Sequence, residues 1–178
     1  SSKDTYYSFE GFTTPRTIYR YDLATGKSTV YKAPVVPFDP NLFTTRQVFV
    51  TSKGGTKLPL FLVHKKDLAL DGRNPVLVSG YASYGYSETA YYSASNLVWL
   101  ERGGVLAFTN PRGSGVHGDD WHRAGFKTTK RNTWLDGIAC VRWLIEQRYG
   151  SIDAYLEQRL GMTPEKRASL RRQFLEQA

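Results

Sequence analysis

Short runs of alternating apolar and polar residues occupy the first part of the chain. Residues 5–12, 17–22 and 28–32 alternate loosely and are rich in aromatic side chains, a pattern typical of strands. A turn at residues 23–26 separates the last two, since Gly26 can take the positive φ that a tight turn requires. Strands this short form at best a marginal sheet by themselves, so we expect them to belong to a larger assembly.

Prolines separate this segment from a predicted hairpin. Residues 33–43 hold three of the eight prolines. Because proline fixes φ and removes a backbone donor, we interpret this segment as a connector. Residues 45–51 and 58–64 alternate on either side of a Gly-Gly pair, which predicts two antiparallel strands joined by a tight turn.

Beyond residue 74 the pattern switches between the periods of strand and helix. It predicts a fully buried strand over 75–80, a helix over 92–102, an apolar strand over 105–109 and a helix over 132–148. The last helix has Asn132 as its predicted cap. This alternation predicts an α/β layer built on a mixed sheet. Another strand should follow, but residues 151–178 favour two short helices, one ending at Gly161 and one beginning at Pro164.

The composition is that of a globular protein with excess positive charge. Of 178 residues, 40% are hydrophobic, and Lys plus Arg (24) exceed Asp plus Glu (16) by eight. These values exclude a disordered chain, and the lack of 18 consecutive apolar residues predicts no membrane span. The basic side chains are scattered, without a zinc-finger or Walker pattern, so we expect no nucleic-acid partner. The single cysteine excludes an internal disulfide and any multi-cysteine metal site.

The N-terminus has neither an initiating Met nor a basic-then-apolar signal pattern. We interpret the chain as a processed or partial one that is soluble, in the cytoplasm or the periplasm, with the compartment left open. Whether the segment over 151–178 shares its ancestry with the rest of the chain also stays open.

Four sequence blocks in a fixed order carry a family resemblance: 80–85 (GYASYG), 103–115 (GGVLAFTNPRGSG), 118–122 (GDDWH) and 130–136 (KRNTWLD). Together they resemble the hydrolase domain of the prolyl oligopeptidase family of serine peptidases. The hairpin is similar to the start of that domain, and the three N-terminal strands are similar to the end of the family's β-propeller.

The resemblance implies an α/β fold class. We expect a partial α/β-hydrolase-like mixed sheet with flanking helices, preceded by a few antiparallel propeller-type strands and followed by a short helical tail. The implied divisions are a propeller remnant at 1–32, a Pro-rich connector at 33–43, the N-terminal half of a hydrolase domain at 44–150 and the tail at 151–178.

The resemblance also implies roles for two tyrosines that follow the strand over 75–80. Tyr81 matches a tyrosine that donates its hydroxyl to the oxyanion of the tetrahedral intermediate, and losing one such donor costs about 10²–10³ in rate. Tyr84 matches an aromatic residue that shapes the pocket for the residue before the cut bond. Core packing is the alternative for both. Ala82 stands where the family usually has Gly, which makes the backbone conformation here a question.

The motifs of a serine-peptidase triad are missing. The triad needs a serine activated by a histidine that a carboxylate orients, and in the family all three lie downstream of the resemblance. Ser114 stands between two glycines, but Arg112 occupies the position two residues before it, so the Gly-x-Ser-x-Gly elbow fails here and throughout the sequence. His64, His117 and His122 have no serine partner by motif. We therefore predict that peptide hydrolysis, with cleavage after proline as one option, is absent from this chain alone.

A non-catalytic binding or assembly module is the alternative function. In a half-sheet the apolar strand over 105–109 would be left as an edge, and an apolar edge strand invites pairing with another chain. We therefore expect self-association unless the helical tail covers that edge. No cofactor is predicted.

Three weaker patterns point elsewhere. Residues 117–122 hold two His and two Asp, but their spacing matches no metal motif, so no metal is predicted. Cys140 lies in the apolar stripe of the predicted helix, where a free Cys is usually a small buried hydrophobe. Residues 146–175 resemble the C-terminal helices of a bacterial tyrosine phosphatase family. A phosphatase-related protein is therefore a third hypothesis, although the Cys–Arg loop of that family is lacking.

Overall fold

The computed structural model describes residues 3–71 and 73–174. Its first part is a three-stranded antiparallel sheet in the order β1-β2-β3, formed by β1 (Asp4–Phe9), β2 (Thr17–Asp22) and β3 (Lys27–Lys32). Aromatic rings stack across these strands, with the ring centroids of Tyr7 and Tyr19 5.2 Å apart. The prediction of antiparallel strands in this region is confirmed.

The first strand is shorter than its pattern indicates. β1 ends at Phe9, and Phe12 enters the core of a second sheet, where it is 8% exposed and its ring centroid lies 4.6 Å from that of Phe108. Glu10 adds a polar link, since its Oε1 accepts a hydrogen bond from the Tyr92 backbone N–H at 2.8 Å. The two sheets are therefore joined by packing as well as by the connector.

The second sheet has four strands of mixed direction. Its strands are β4 (Phe43–Thr51), β5 (Lys57–Lys65), β6 (Val76–Gly80) and β7 (Val105–Thr109), in the order β4-β5-β7-β6. β5 pairs antiparallel with β4 and β7, whereas β6 pairs parallel with β7. The helices are α1 (Ala94–Glu101), α2 (Asp119–Arg123), α3 (Arg131–Tyr149), α4 (Ile152–Leu160) and α5 (Pro164–Phe174). A mixed sheet flanked by helices confirms the predicted fold class.

The strand order overturns two expectations about exposure. β7 is buried along its whole length and lies inside the sheet, so the prediction that the strand over 105–109 forms an edge is wrong. β6 is the edge instead, and Val76, Leu77 and Val78 are 40%, 51% and 36% exposed, so the prediction of a fully buried strand over 75–80 is also wrong. The reason is that the chain crosses over through α1 and inserts β7 between β5 and β6. The continuous apolar run of β6 is nevertheless typical of an interior strand in a parallel sheet.

The ends of α3 differ in how well the sequence predicts them. The helix begins one residue before Asn132, and the Asn132 side-chain amide donates instead to the Ala124 carbonyl at 2.8 Å. The prediction that Asn132 caps the helix is therefore wrong. At the other end Gly150 has a φ of 76° and its N–H donates to the Glu146 carbonyl, a common helix ending that glycine adopts without strain.

The helical tail forms as predicted in its described part. Ser151 caps α4 by accepting a hydrogen bond from the Ala154 backbone N–H at 3.0 Å, and Gly161 ends that helix at a φ of 59°. Asp153 and Arg167 form an ion pair between α4 and α5. Residues 175–178, the end of the predicted tail, lie outside the described residues. Across the described chain, no helix combines the length and the apolar character that crossing a membrane requires.

Each face of the second sheet has its own apolar core. α1 covers one face, where the buried cluster is Phe12, Phe43, Val63, Leu97, Leu100, Leu106 and Phe108. α3 covers part of the other face, where the cluster is Val50, Leu58, Leu60, Ala107 and Cys140. Cys140 is fully buried, and burial raises the pKa of its thiol. The predicted core role of this cysteine is confirmed, because it packs in the cluster with Leu58, Leu60 and Ala107.

Candidate active-site loop

The two tyrosines singled out by the sequence lie on the loop that follows β6. Tyr81 comes directly after β6, is 45% exposed and packs its ring edge-on against Tyr86, with the centroids 5.7 Å apart. Tyr84 is 89% exposed. Neither ring belongs to the two apolar cores, so both are accessible to a ligand. We call residues 81–88 the candidate active-site loop.

The backbone of this loop turns at Tyr84 and Gly85. Their φ angles are 57° and 68°, and the Tyr86 backbone N–H donates to the Ser83 carbonyl at 3.0 Å, the pattern of a type I′ turn. Tyr84 thus has a conformation that few non-glycine residues take. Ala82 is not among the described residues with positive φ, so alanine fits at this position without left-handed strain.

Lys130, immediately before α3, holds the first half of the loop. Its Nζ donates a short hydrogen bond to the Ala82 carbonyl and a second one, of 3.2 Å, to the Ser83 Oγ. The Nζ also lies 5.9 Å from the ring centroid of Trp134. Because a charged donor makes a stronger hydrogen bond than a neutral one, Lys130 ties the loop firmly to the start of α3.

Asn110, directly after β7, holds the second half of the loop. Its buried side-chain amide accepts from the Glu88 backbone N–H at 2.8 Å and donates to the Glu88 carbonyl at 2.9 Å. The Ser79 Oγ donates to the Glu88 carboxylate at 3.3 Å. These bonds join the carboxyl ends of the parallel strands β6 and β7, the edge at which open α/β sheets bind their ligands.

The segment after Asn110 lies against the loop because it lacks side chains at two points. A Cβ on Gly113 would lie 2.7 Å from the Ala82 carbonyl oxygen, and one on Gly115 would lie 2.1 Å from the Gly85 carbonyl oxygen. Both distances are shorter than real Cβ contacts. Glycine at 113 and 115 therefore allows the two backbones to approach each other.

A buried ion pair fixes the same segment to α3. Asp136 is fully buried. Its Oδ1 accepts from the Ser52 Oγ at 2.5 Å and from the Arg112 Nη2 at 2.6 Å, and its Oδ2 accepts from the Arg112 backbone N–H and Nε, each at 2.9 Å. The Thr133 Oγ1 donates to the Arg112 carbonyl at 2.6 Å. Hydrogen bonding to Asp136 raises the pKa of the Arg112 guanidinium above its ordinary value. Three segments therefore meet at one carboxylate.

Arg112, Lys130 and Asp136 have no role in the sequence-based prediction beyond membership of the matched blocks. A signal for Asp136 does exist in the sequence. It lies four residues before Cys140, and therefore on the same face of α3 as that buried residue. A charged residue on a buried helix face requires a partner of opposite charge.

The residues considered for a triad have other surroundings. Ser114 is fully buried, and its Oγ has no hydrogen-bond partner among the residues that the structure describes. The Nδ1 of His122 lies 2.9 Å from the Gly113 carbonyl oxygen. The Nδ1 of His64 lies 2.7 Å from the Lys65 carbonyl oxygen. Each of these rings therefore has a backbone partner rather than a serine.

Two polar side chains of the 117–122 region have neighbours close by in the sequence. The His117 ring packs edge-on against Trp121, with the centroids 4.7 Å apart, and Asp119 pairs with Arg123 at 2.5 Å. Within residues 3–71 and 73–174, no three His, Cys, Asp or Glu side chains are grouped as metal ligands.

Comparison with known proteins matches both parts of the chain to one family. Residues 1–34 match the family model for the prolyl oligopeptidase N-terminal β-propeller domain, and residues 90–156 match the model for the prolyl oligopeptidase family. Prolyl endopeptidase from Elizabethkingia meningoseptica is 42% identical over 151 residues, which are 85% of this chain and 21% of that protein. The dual function macrocyclase-peptidase POPB from Amanita bisporigera is 34% identical over 151 residues, which are 82% of this chain and 21% of that protein.

Solved structures agree with these matches. A prolyl endopeptidase structure, from a study of inter-domain dynamics in catalysis and specificity, has a TM-score of 0.77 at 43% identity, over 83% of this chain and 22% of its own. Prolyl oligopeptidase B from Galerina marginata, bound to a 25mer macrocyclization substrate, has a TM-score of 0.77 at 33% identity, over 83% of this chain and 21% of its own. The chain spans about one fifth of the length of these relatives.

The fold and the matches first define a class, in which the end of a β-propeller precedes the start of an α/β-hydrolase domain. The chain belongs to the prolyl oligopeptidase family of serine peptidases. Both family-model matches end at or before residue 156, and the resemblance of residues 146–175 to a phosphatase family stays a prediction.

The Asp136 pair makes a testable contribution to stability. We predict that Asp136→Asn lowers the free energy of unfolding by about 3–5 kcal/mol, because it leaves the largely buried Arg112 guanidinium, whose side chain is 12% exposed, without its counter-ion. Urea unfolding followed by circular dichroism measures this change. The matched control is Asp119→Asn, which breaks the exposed pair with Arg123 and should lower stability far less, because water and salt screen exposed charges. Equal losses in the two variants would contradict the structural role given to Asp136.

Lys130 gives a second prediction, about the loop alone. We expect Lys130→Met to raise the hydrogen-exchange rate of the Tyr86 amide at least about tenfold, because the loop loses two bonds from a charged donor. Lys127→Met is the control, since the Lys127 Nζ lies over the ring of Phe126, a residue outside the loop. An unchanged Tyr86 amide in the Lys130 variant would show that Lys130 does not hold the loop.

Proposed function

We propose that this chain supplies the oxyanion-binding part of a prolyl oligopeptidase-type active site and does not hydrolyse peptides by itself. The observation that carries the proposal is the position of Tyr81, which lies at the carboxyl end of β6 with its ring exposed. Lys130 and Asn110 hold the two halves of its loop. The block over 80–85 supports the same role by its resemblance to the family.

The proposed role of Tyr81 is electrostatic stabilisation of an oxyanion. When a nucleophile attacks a peptide carbonyl, the carbonyl oxygen becomes an oxyanion. A phenol O–H directed at that oxygen donates a hydrogen bond that strengthens as the negative charge develops, so it lowers the barrier. The donor works best when it is already in place, because no reorganisation is then needed during the reaction. The packing of Tyr81 on Tyr86 and the anchored loop favour such preorganisation.

Tyr84 is the proposed contact for the substrate residue before the cut bond. Its ring is exposed, and the left-handed turn at Tyr84 and Gly85 presents it outside both cores. An aromatic ring offers a large flat apolar surface, which suits the apolar ring of a proline. The proposed substrate class is therefore a short peptide, with cleavage after proline as the preferred specificity.

The nucleophile and its general base are not expected within these 178 residues. The sequence has no Gly-x-Ser-x-Gly elbow. Ser114 is buried, and the Nδ1 atoms of His64 and His122 lie beside backbone carbonyls. The relatives that carry the peptidase names are about four times as long as this chain.

Assembly through β6 is a second candidate function, and one observation favours it. The two edges of the sheet differ, because β4 exposes Thr45, Arg46 and Gln47 beside the single apolar Phe49, whereas β6 exposes three consecutive aliphatic residues. Polar and charged residues protect an edge strand from pairing, and an aliphatic edge lacks this protection.

The role of Tyr81 is testable in a full-length relative. The matching segment of the Elizabethkingia meningoseptica prolyl endopeptidase is replaced by residues 1–150 of this chain, and cleavage of a blocked Gly-Pro p-nitroanilide is measured. We predict that Tyr81→Phe lowers kcat about 10²–10³-fold while KM changes little, because the donor acts on the transition state. Tyr86→Phe is the matched control, and we expect its kcat to stay within about threefold.

The isolated chain is assayed beside the chimera, and we predict no p-nitroaniline release above that of buffer. Turnover by the isolated chain that disappears in its Tyr81→Phe variant would contradict the proposed lack of independent activity. A chimera whose kcat is unchanged by Tyr81→Phe would contradict the proposed oxyanion role.

A further inference from the structure

A groove of about 780 Å³ lies on the face of the second sheet that α3 covers only in part. Strand side chains form its floor: Val48, Leu62, Val76, Val78 and Val105. The register places them on one face, since Val105 pairs with Val76, and Leu62 pairs with Ala107, which pairs in turn with Val78. The apolar cluster under α3 that contains Leu58 and Leu60 borders this floor, since Val48 and Leu62 pack against that cluster. The groove is thus the uncovered continuation of an apolar core.

Two helices form the wall of this groove. α3 contributes Val141, Leu144 and Ile145, and α4 contributes Tyr155 and Leu160. The left-handed residue Gly150 redirects the chain between these helices, so α4 borders the floor without filling the space above it. The volume falls within the range of about 300–1,000 Å³ that is typical of small-molecule sites.

Among the residues that the structure describes, the charged ones that line the groove are all arginines. Arg46 from β4, Arg148 from α3 and Arg159 from α4 line it, together with the neutral Asn74 and Gln147. No carboxylate is among the described residues that line it. An apolar floor with cationic groups at its border is complementary to a ligand that has a hydrocarbon chain and one negative charge.

We propose that this groove binds a single-chain anionic amphiphile, namely a medium-chain fatty acid such as dodecanoate. The hydrocarbon chain lies along the Val and Leu floor, where its transfer from water is favourable. The carboxylate lies at Arg46 and Arg159, whose guanidinium groups bind carboxylates through paired hydrogen bonds. This site is on the sheet face, apart from the loop that carries Tyr81, and the inference does not depend on the peptidase assignment.

The probe for the test is dodecanoate, titrated into the full chain by calorimetry below its micelle concentration. We expect saturable binding of one dodecanoate, at least about tenfold weaker binding of octanoate because four methylene groups are lost, and no binding of dodecyltrimethylammonium. The cation has the same chain length with the opposite charge, so equal binding of the two amphiphiles would overturn the proposal.

Variants locate the site. We expect Arg159→Gln and Arg46→Gln each to weaken dodecanoate binding at least about tenfold, while Arg102→Gln, at the end of α1 and away from the groove, leaves it unchanged. Arg46, Arg102 and Arg159 are all exposed, so we expect these three variants to fold. Equal weakening by Arg102→Gln would overturn the proposal. So would sedimentation showing a dimer through β6 that takes up no dodecanoate, because a second copy would then occupy the groove.

Discussion

Asp136 is a fully buried carboxylate whose four hydrogen bonds come from two distant parts of the chain. Ser52 lies at the end of β4, Arg112 lies beyond β7, and Asp136 itself is on α3. The carboxylate and the guanidinium both lose hydration here, and only complete pairing offsets that cost. The position of the backbone at Arg112 is therefore fixed. The residues that follow Arg112 are held in place by the same ion pair, and so are the contacts that they make.

The candidate active-site loop depends on that fixed path. Gly113 and Gly115 follow Arg112 directly, and their backbones lie against the carbonyl groups of Ala82 and Gly85. Lys130, six residues before Asp136 on the chain, reaches the other side of the same loop. A displaced Arg112 would move the surface on which the loop rests. The position of the exposed Tyr81 thus depends on a series of backbone contacts that begins at the ion pair between Arg112 and Asp136.

The sequence predicts the elements of this fold better than their order in space. The apolar run of β6 correctly indicates a strand, but the same pattern suggests burial on both sides, since runs of Val and Leu are typical of interior strands. Only the pairing of β7 with both β5 and β6 reveals that β6 is an edge. Likewise Asn132 has the chemistry of a cap, but the Ala124 carbonyl competes for its amide. Long-range contacts decide both cases, and local patterns do not contain them.

For the candidate site too, the sequence predicts what local motifs carry and misses what long-range contacts decide. Tyr81 and Tyr84 are found from motifs because they stand in a contiguous block. The hydrogen bonds that hold their loop cannot be found from motifs, because Lys130 and Asn110 are far from the loop in the sequence. The most direct test is hydrogen exchange in Arg112→Lys, which keeps the charge but loses the paired geometry. Our account predicts that the Gly113 and Tyr86 amides lose protection while the β5 amides keep theirs. Unchanged protection of the Gly113 and Tyr86 amides would contradict the claim that this ion pair positions the loop.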